Sequence, residues 1–312
     1  MDMTLNEFFE PYSSLIEHIE ESRNYWLVRT DSGKYYSDFS NNNYISIGWD
    51  EFSNINDFRN KAMSDAMSNY IINKYPKKQP RRIYNQIRKF LFEIKVGDVV
   101  MIPNENSKVI NFGIVTSEYI SRANNINDTC PFIKSKSVKW IKEIDREKLD
   151  PYLFKMMQAH QTINSANEYA HFIDRTMYSF YEKSGKSYLI LPVNKEEDIP
   201  AYDLSQFINA ITNLVPIANV LQKDSLEDEY NKRDLDIKIN VQSPGYIELK
   251  SDDAKLVPRI LTLLKYLIGN NDCNTERLLE KTSEEELRKL KKDRDDLRKR
   301  FEDVKAKLPS DI

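Results

Sequence analysis

Four aromatic residues, Trp26, Tyr44, Trp49 and Tyr119, stand at the ends or edges of runs that read as β-strands, and Ser46 and Asn43 lie among them. Reading one base out of a duplex requires π faces for stacking and a few polar groups for the base edge. These six residues are therefore the candidate base-binding set. Trp49, after Ile-Gly, and Tyr119, after Thr-Ser-Glu, are the expected walls, while Trp26 and Trp140 read more readily as plain core. Residues 74–89 contain Lys74, Lys77, Lys78, Arg81, Arg82, Arg88 and Lys89, no acidic residue, and Tyr75 and Tyr84 between the cations. Such a run is either a clamp for phosphates or an ordinary solvated face. A second constellation sits further on: Asp234 or Asp236, then Glu248-Leu-Lys250. Two carboxylates there could hold Mg²⁺, with the lysine orienting a hydroxide. Alternation puts Glu248 and Lys250 on one face of a strand, and a Ser-Pro-Gly turn (243–245) puts Asp236, Lys238 and Asn240 on the same face. The plainer reading is a solvated face opposite buried Ile237, Ile239, Val241, Ile247 and Leu249.

Other chemistries have less to stand on. His18, His160 and His171 are isolated, and the eleven-residue gap between the last two does not suit two ligands on one helix face. Cys130 and Cys273 are far apart, which argues against a disulfide framework and for a reducing cytoplasm. The chain has only seven glycines, and Ser184-Gly-Lys-Ser lacks the upstream glycine of a phosphate loop. At a net charge of -3, affinity for nucleic acid must come from a local patch. No apolar run approaches a membrane span, and the acidic start does not read as a secretory signal.

These residues need elements to position them. At 312 residues, 40% apolar and 30% charged, the chain suits two domains of a globular α+β protein. Strands are expected at Tyr25–Arg29, Tyr44–Trp49, Val96–Pro103, Phe112–Tyr119 and Ser137–Ile141, rich in β-branched and aromatic residues and bounded by Gly, Pro or Asn. They should form a small closed sheet, with Gly113 marking a bulge or a close approach. Asn56–Lys74 and Gln86–Glu93 read as helices separated by the prolines at 76 and 80, and 120–136 as a polar loop. A helix is expected over 4–22, and a helical pattern from Asp145 to about Lys183. The second domain reads β-α-β-β-α: Tyr188–Val193, Asp203–Leu221, Asp236–Val241, Tyr246–Lys250 and Leu256–Ile268. The expected domains are thus 1–183, 184–272 and a charged helical tail, 273–312. In the tail Leu287, Leu290, Leu297, Phe301, Val304 and Leu308 fall on heptad positions, with Arg294 interrupting. The tail either self-associates as a coiled coil over 276–308, giving a homo-oligomer, or docks on its own protein.

Five segments in order carry a resemblance: Tyr25-Trp-Leu-Val-Arg, Ile45-Ser-Ile-Gly-Trp, Val96-Gly-Asp-Val-Val, Gly113-Ile-Val-Thr-Ser-Glu-Tyr and Val138-Lys-Trp-Ile, followed by Asp145-Arg and Gln161-Thr-Ile. Over residues 23–165 this resembles the PUA-like (EVE-type) domain at the N-terminus of modification-dependent restriction endonucleases and related prokaryotic defence proteins. The resemblance implies a β-barrel that accepts a flipped, often modified base, DNA as the partner, and a setting in restriction or antiviral defence. The Asp236, Glu248 and Lys250 set resembles the PD-(D/E)xK nucleases, which would make the chain a Mg²⁺-dependent endonuclease. Otherwise no cofactor is expected. A third reading is a sensor of a nucleotide-like small ligand that acts through oligomerisation.

Overall fold

The Val-Gly-Asp-Val-Val run leads into a fully buried strand, Val99–Pro103. In the computed structural model, which describes residues 15–52, 54–121, 129–194, 197–220, 229–240, 245–268 and 284–310, the chain divides into two compact units. One unit spans 22–177. The other joins the segment up to residue 21 with 178–312. No helix of the described residues is long and apolar enough to cross a membrane.

The first described strand, β1 (Glu17–Ile19), belongs to the second unit. Within 22–177 the strands are β2 (Tyr25–Val28), β3 (Tyr44–Ile47), β4 (Val99–Pro103), β5 (Val109–Val115), β6 (Ile120–Ser121), β7 (Lys134–Asp145) and β8 (Ile163–Ser165). They pair in the order β3-β7-β5-β4-β2-β8, with β6 also on β7. All neighbours are antiparallel except β2 and β4. The result is a curled half-barrel. Among the described residues β3 and β8 remain at opposite ends of the pairing, where a closed sheet was expected.

β7, at 12 residues, is the spine, because β3, β5 and β6 all hydrogen-bond to it. The register between β5 and β7 slips at Phe112/Gly113, the bulge that a strand glycine signals. A Cβ on Gly113 would lie 2.5 Å from both the Trp140 and the Val138 side chains, so the position has no room for one.

Helices close one side of the curl. Asp65–Lys74 is capped by the Ser64 hydroxyl, and Pro80–Arg88 starts with proline in its first turn. Proline at that position forfeits no intrahelical hydrogen bond. Pro80 therefore starts a helix that continues as a π-helical turn, Lys89–Glu93, whereas the helix was expected only from Gln86 and Pro80 was expected to belong to the break. The core between helices and sheet is aromatic: Phe39, Phe58, Tyr84 and Phe90 are all buried there. A helix over Tyr36–Asn41 and strand β8 had no sequence signal strong enough to stand out.

The second unit holds a sheet of order β1-β9-β10-β12-β11, with β9 at Phe180–Lys183, β10 at Lys186–Val193, β11 at Asp236–Asn240 and β12 at Gly245–Ser251. β1 pairs in parallel with β9. This corrects two expectations. Residues 17–19 are strand, not the end of a helix, and the stretch to Lys183 contains β8 and β9 besides the helix Ala170–Met177. Residues 15–16 and 20–22 are not helical either, while residues 4–14 of the expected helix, the loop residues 122–128, the turn around Ser243-Pro244 with Val241, Cys273 and the tail segment 269–283 lie outside the described residues.

Helices Ala201–Thr212, Leu214–Val220, Leu256–Ile268 and Glu284–Val304 follow the β-α-β-β-α order and add the tail. Leu297, Phe301 and Val304, at 2%, 5% and 0% exposure, sit in this unit's own core. Phe301 lies 5.0 Å, ring centre to ring centre, from Phe207. Those three heptad positions therefore pack inward on the chain's own core.

Candidate functional site

Strand β3 ends at Ile47, and what happens next makes the site. Along β3, Ile45 and Ile47 point into the core while Ser46 points the other way. Continued alternation would send residue 49 to the core side. Trp49 does pack against that core, but it takes φ +61, the left-handed region, where a bulky residue is a genuine outlier. Its half-buried indole lines a cavity with Ser46 and Gly48.

That cavity has a volume of about 580 Å³, within the range of small-molecule sites. Its aromatic walls are Trp49, Tyr75 and Phe132. Phe132 is braced edge-on by Tyr35 at 5.1 Å, and Gly48 lets its ring come close: a Cβ there would be 3.0 Å from Phe132. The polar lining comes from Arg29, Asp31, Ser32, Ser46, His160 and Thr162. Two of these are already committed to the fold. Ser46 Oγ donates to the Lys134 carbonyl at 2.7 Å. Arg29 donates to the Ala159 carbonyl at 2.7 Å and to that of Met157, tying β2 to the 157–160 segment. Burial lowers the Arg29 guanidinium below its ordinary pKa. Asp31 and Ser32, both at positive φ, and the exposed His160 are better placed to meet a ligand.

A second hollow of about 470 Å³ shares Trp49, His160 and Thr162 with the first. Its remaining wall is Lys77, Lys78, Gln79, Arg82, Ile83, Gln86 and Gln161. The three cations are exposed. Gln86 fixes the floor: its Oε1 accepts from the Ile163 backbone at 2.6 Å and its Nε2 donates to Gln161 at 2.9 Å. An aromatic, half-polar cavity thus opens beside a cationic trough. Such a pair of hollows can receive a planar heterocycle and an attached anion.

Tyr75 belongs to both themes. It lies in the basic run and walls the aromatic cavity, and its hydroxyl donates to Glu51. Burial first, and then Glu51, push the phenol from near 10 up to about 12, so it is a neutral donor at physiological pH.

The other expected residues lie elsewhere. Tyr119 is half-buried against the core and lines neither hollow, so the rings that share Trp49's cavity are Phe132 and Tyr75. Tyr44 is 5% exposed, with its ring 5.0 Å from Phe39 and its hydroxyl on Asp38. Trp26 is buried and donates Nε1 to Asp98 at 2.8 Å. Asn43 is an exposed turn residue at φ +56 whose carbonyl accepts from Val138. Among the cations, Arg88 is paired with Glu93, and Lys74, Arg81 and Lys89 line neither hollow. Arg29, Tyr75, Phe132, His160 and Thr162 escaped sequence reasoning as a set, because they come from separate segments that only the fold unites.

The second constellation assembles in part. Asp236 faces Lys250 across β11 and β12, and Lys250 Nζ lies 3.6 Å from Asp236 and 3.6 Å from Asp252. Glu248 is not on a solvated face. It is 3% exposed, on the side where Tyr181, Tyr188, Ile190 and Ile19 form a small apolar cluster with Tyr246. Asp234 is used locally, accepting the Asn231 N–H in a capping box. Among the described residues no group of three or more His, Cys, Asp or Glu is arranged to hold a metal.

A family model described as a domain of unknown function, DUF8426, matches residues 24–167, close to the limits of the half-barrel unit. No curated protein and no solved structure matches the chain.

Proposed function

We propose that the half-barrel unit binds a single planar base presented by a nucleic acid, in the manner of the PUA-like modules it resembles. The base inserts beside Trp49, with Phe132 and Tyr75 as further walls, and the adjoining phosphate lies along Lys77, Lys78 and Arg82. One observation carries the reading: Trp49, at φ +61 just past the end of its strand, packs on the aromatic core and also walls a cavity that opens beside three cations. Stacking supplies affinity and tolerates different bases. Asp31, Ser32, His160 and Thr162 supply donors and acceptors for the base edge. By analogy with the family, DNA carrying a modified cytosine is the expected ligand, in cytoplasmic restriction or antiviral defence.

The test is fluorescence anisotropy with labelled duplexes carrying cytosine, 5-methylcytosine or 5-hydroxymethylcytosine at one position, without metal. Binding that weakens steeply with salt and is lost in Trp49→Ala supports the reading. Equal binding by wild type and Trp49→Ala, or no duplex binding even at low salt, sinks it. A mononucleotide that binds with little salt dependence in place of any duplex would point to a small-ligand sensor.

A further inference from the structure

Lys134 is a cation in a place that suits an apolar side chain. It stands on β7 opposite Ile47, is 2% exposed, and shares its strand face with the buried Ile45 and Ile47. Burying an ammonium there is costly, and an ion pair offsets that cost only in part. The side chain reaches the turn after β3. Its Nζ donates to the Trp49 carbonyl at 2.9 Å and to Asp50 Oδ1 at 3.1 Å. Asp50 Oδ2 in turn accepts the Ile133 N–H at 3.3 Å, and the Trp49 carbonyl also accepts from Phe52 N–H at 3.1 Å. The carbonyl of Trp49, the bulkiest of the three positive-φ residues in the cavity wall, is thus gripped from the core side.

We infer that Lys134 is a positioning residue, whose ammonium, seated on Asp50, holds Trp49 in the left-handed conformation that turns its indole into the cavity. A strained φ persists only where the surroundings over-determine it. Without the grip, residue 49 relaxes to an ordinary extended conformation, and the indole leaves the wall. Lys136, two residues on, fully buried and on the same face of β7, makes an analogous reach to Glu118 at 3.4 Å, but touches no positive-φ residue of the wall. Only the consequence for binding rests on the function proposed above; the positioning does not.

The test labels the three tryptophans with 5-fluorotryptophan and reads ¹⁹F NMR, with Trp49 assigned by its absence in Trp49→Phe. In Lys134→Met the Trp49 resonance moves or broadens, while those of Trp26 and Trp140 stay. Affinity for the duplex falls about tenfold or more, as the stack is lost. A Trp49 resonance unmoved in folded Lys134→Met overturns the inference. If Lys134→Met fails to fold, Asp50→Asn leaves the lysine and removes its seat: a shifted Trp49 signal supports the strut, and an unmoved one overturns it. If wild type binds no nucleic acid, the proposed function fails while the resonance still decides the role of Lys134.

Discussion

Replacing Trp49 by glycine and by alanine separates what its backbone costs from what its ring contributes. Both variants lose the indole, and both should bind more weakly by about 1–3 kcal/mol, or about 5- to 150-fold in Kd. They differ in the backbone. At φ +61 alanine retains the left-handed strain, about 1–2 kcal/mol for a residue with a Cβ. Glycine escapes it, but loses about 0.5–1 kcal/mol through its greater freedom in the unfolded chain. Trp49→Gly should therefore be more stable than Trp49→Ala by up to about 1.5 kcal/mol, the reverse of the order in an ordinary strand. Urea denaturation gives the stability difference, and anisotropy gives the binding. Alanine at least as stable as glycine would refute the strained turn, and unchanged binding in both would refute the cavity as the site.

Removing one trough cation, by Lys77→Ala, Lys78→Ala or Arg82→Ala, should lower the slope of log K against log salt by about 1. Arg88→Ala, already paired with Glu93, should leave that slope alone. Stability should fall as pH rises from about 10 towards about 12, because the folded chain keeps the Tyr75 proton where the unfolded chain has lost it. In Tyr75→Phe that fall should be shallower, as read by urea melts across the range. Phe301→Ala should destabilise the second unit by about 3–5 kcal/mol, since its ring lies in that core against Phe207. A chain whose urea midpoint barely moved, but whose oligomeric state changed, would instead return Phe301 to an intermolecular seam.

Five strands of the half-barrel, β2, β3, β4, β5 and β7, were legible in outline because β-branched runs bounded by Gly, Pro and Asn have few other conformations to adopt, whereas the short β6 and β8 were not. Gly113 was legible for a related reason, since a glycine inside such a run signals missing space. The tail illustrates a limit. A stripe at positions such as Leu297, Phe301 and Val304 is periodic whether it faces a partner or its own core, and periodicity alone does not choose. β1 and β9 are short, and their parallel pairing joins residues 17–19 to 181–183, a contact no local pattern encodes. At the site, Trp49 was legible as an aromatic residue after Ile-Gly, but its left-handed φ was not, because tryptophan carries no preference for it. The basic run was visible as a whole. Which of its members flank the cavity depends on the turn before Pro80, which leaves Lys77 and Lys78 beside Trp49, and on the phase of the helix that follows, which adds Arg82 and turns Arg88 to Glu93.

The most direct measurement is photocrosslinking of the wild-type chain to a duplex carrying one 5-iodopyrimidine at a destabilised pair, followed by mass spectrometry of the adduct. Attachment at Trp49, Tyr75 or Phe132 is the predicted result. Adducts confined to residues outside the two hollows would contradict the account.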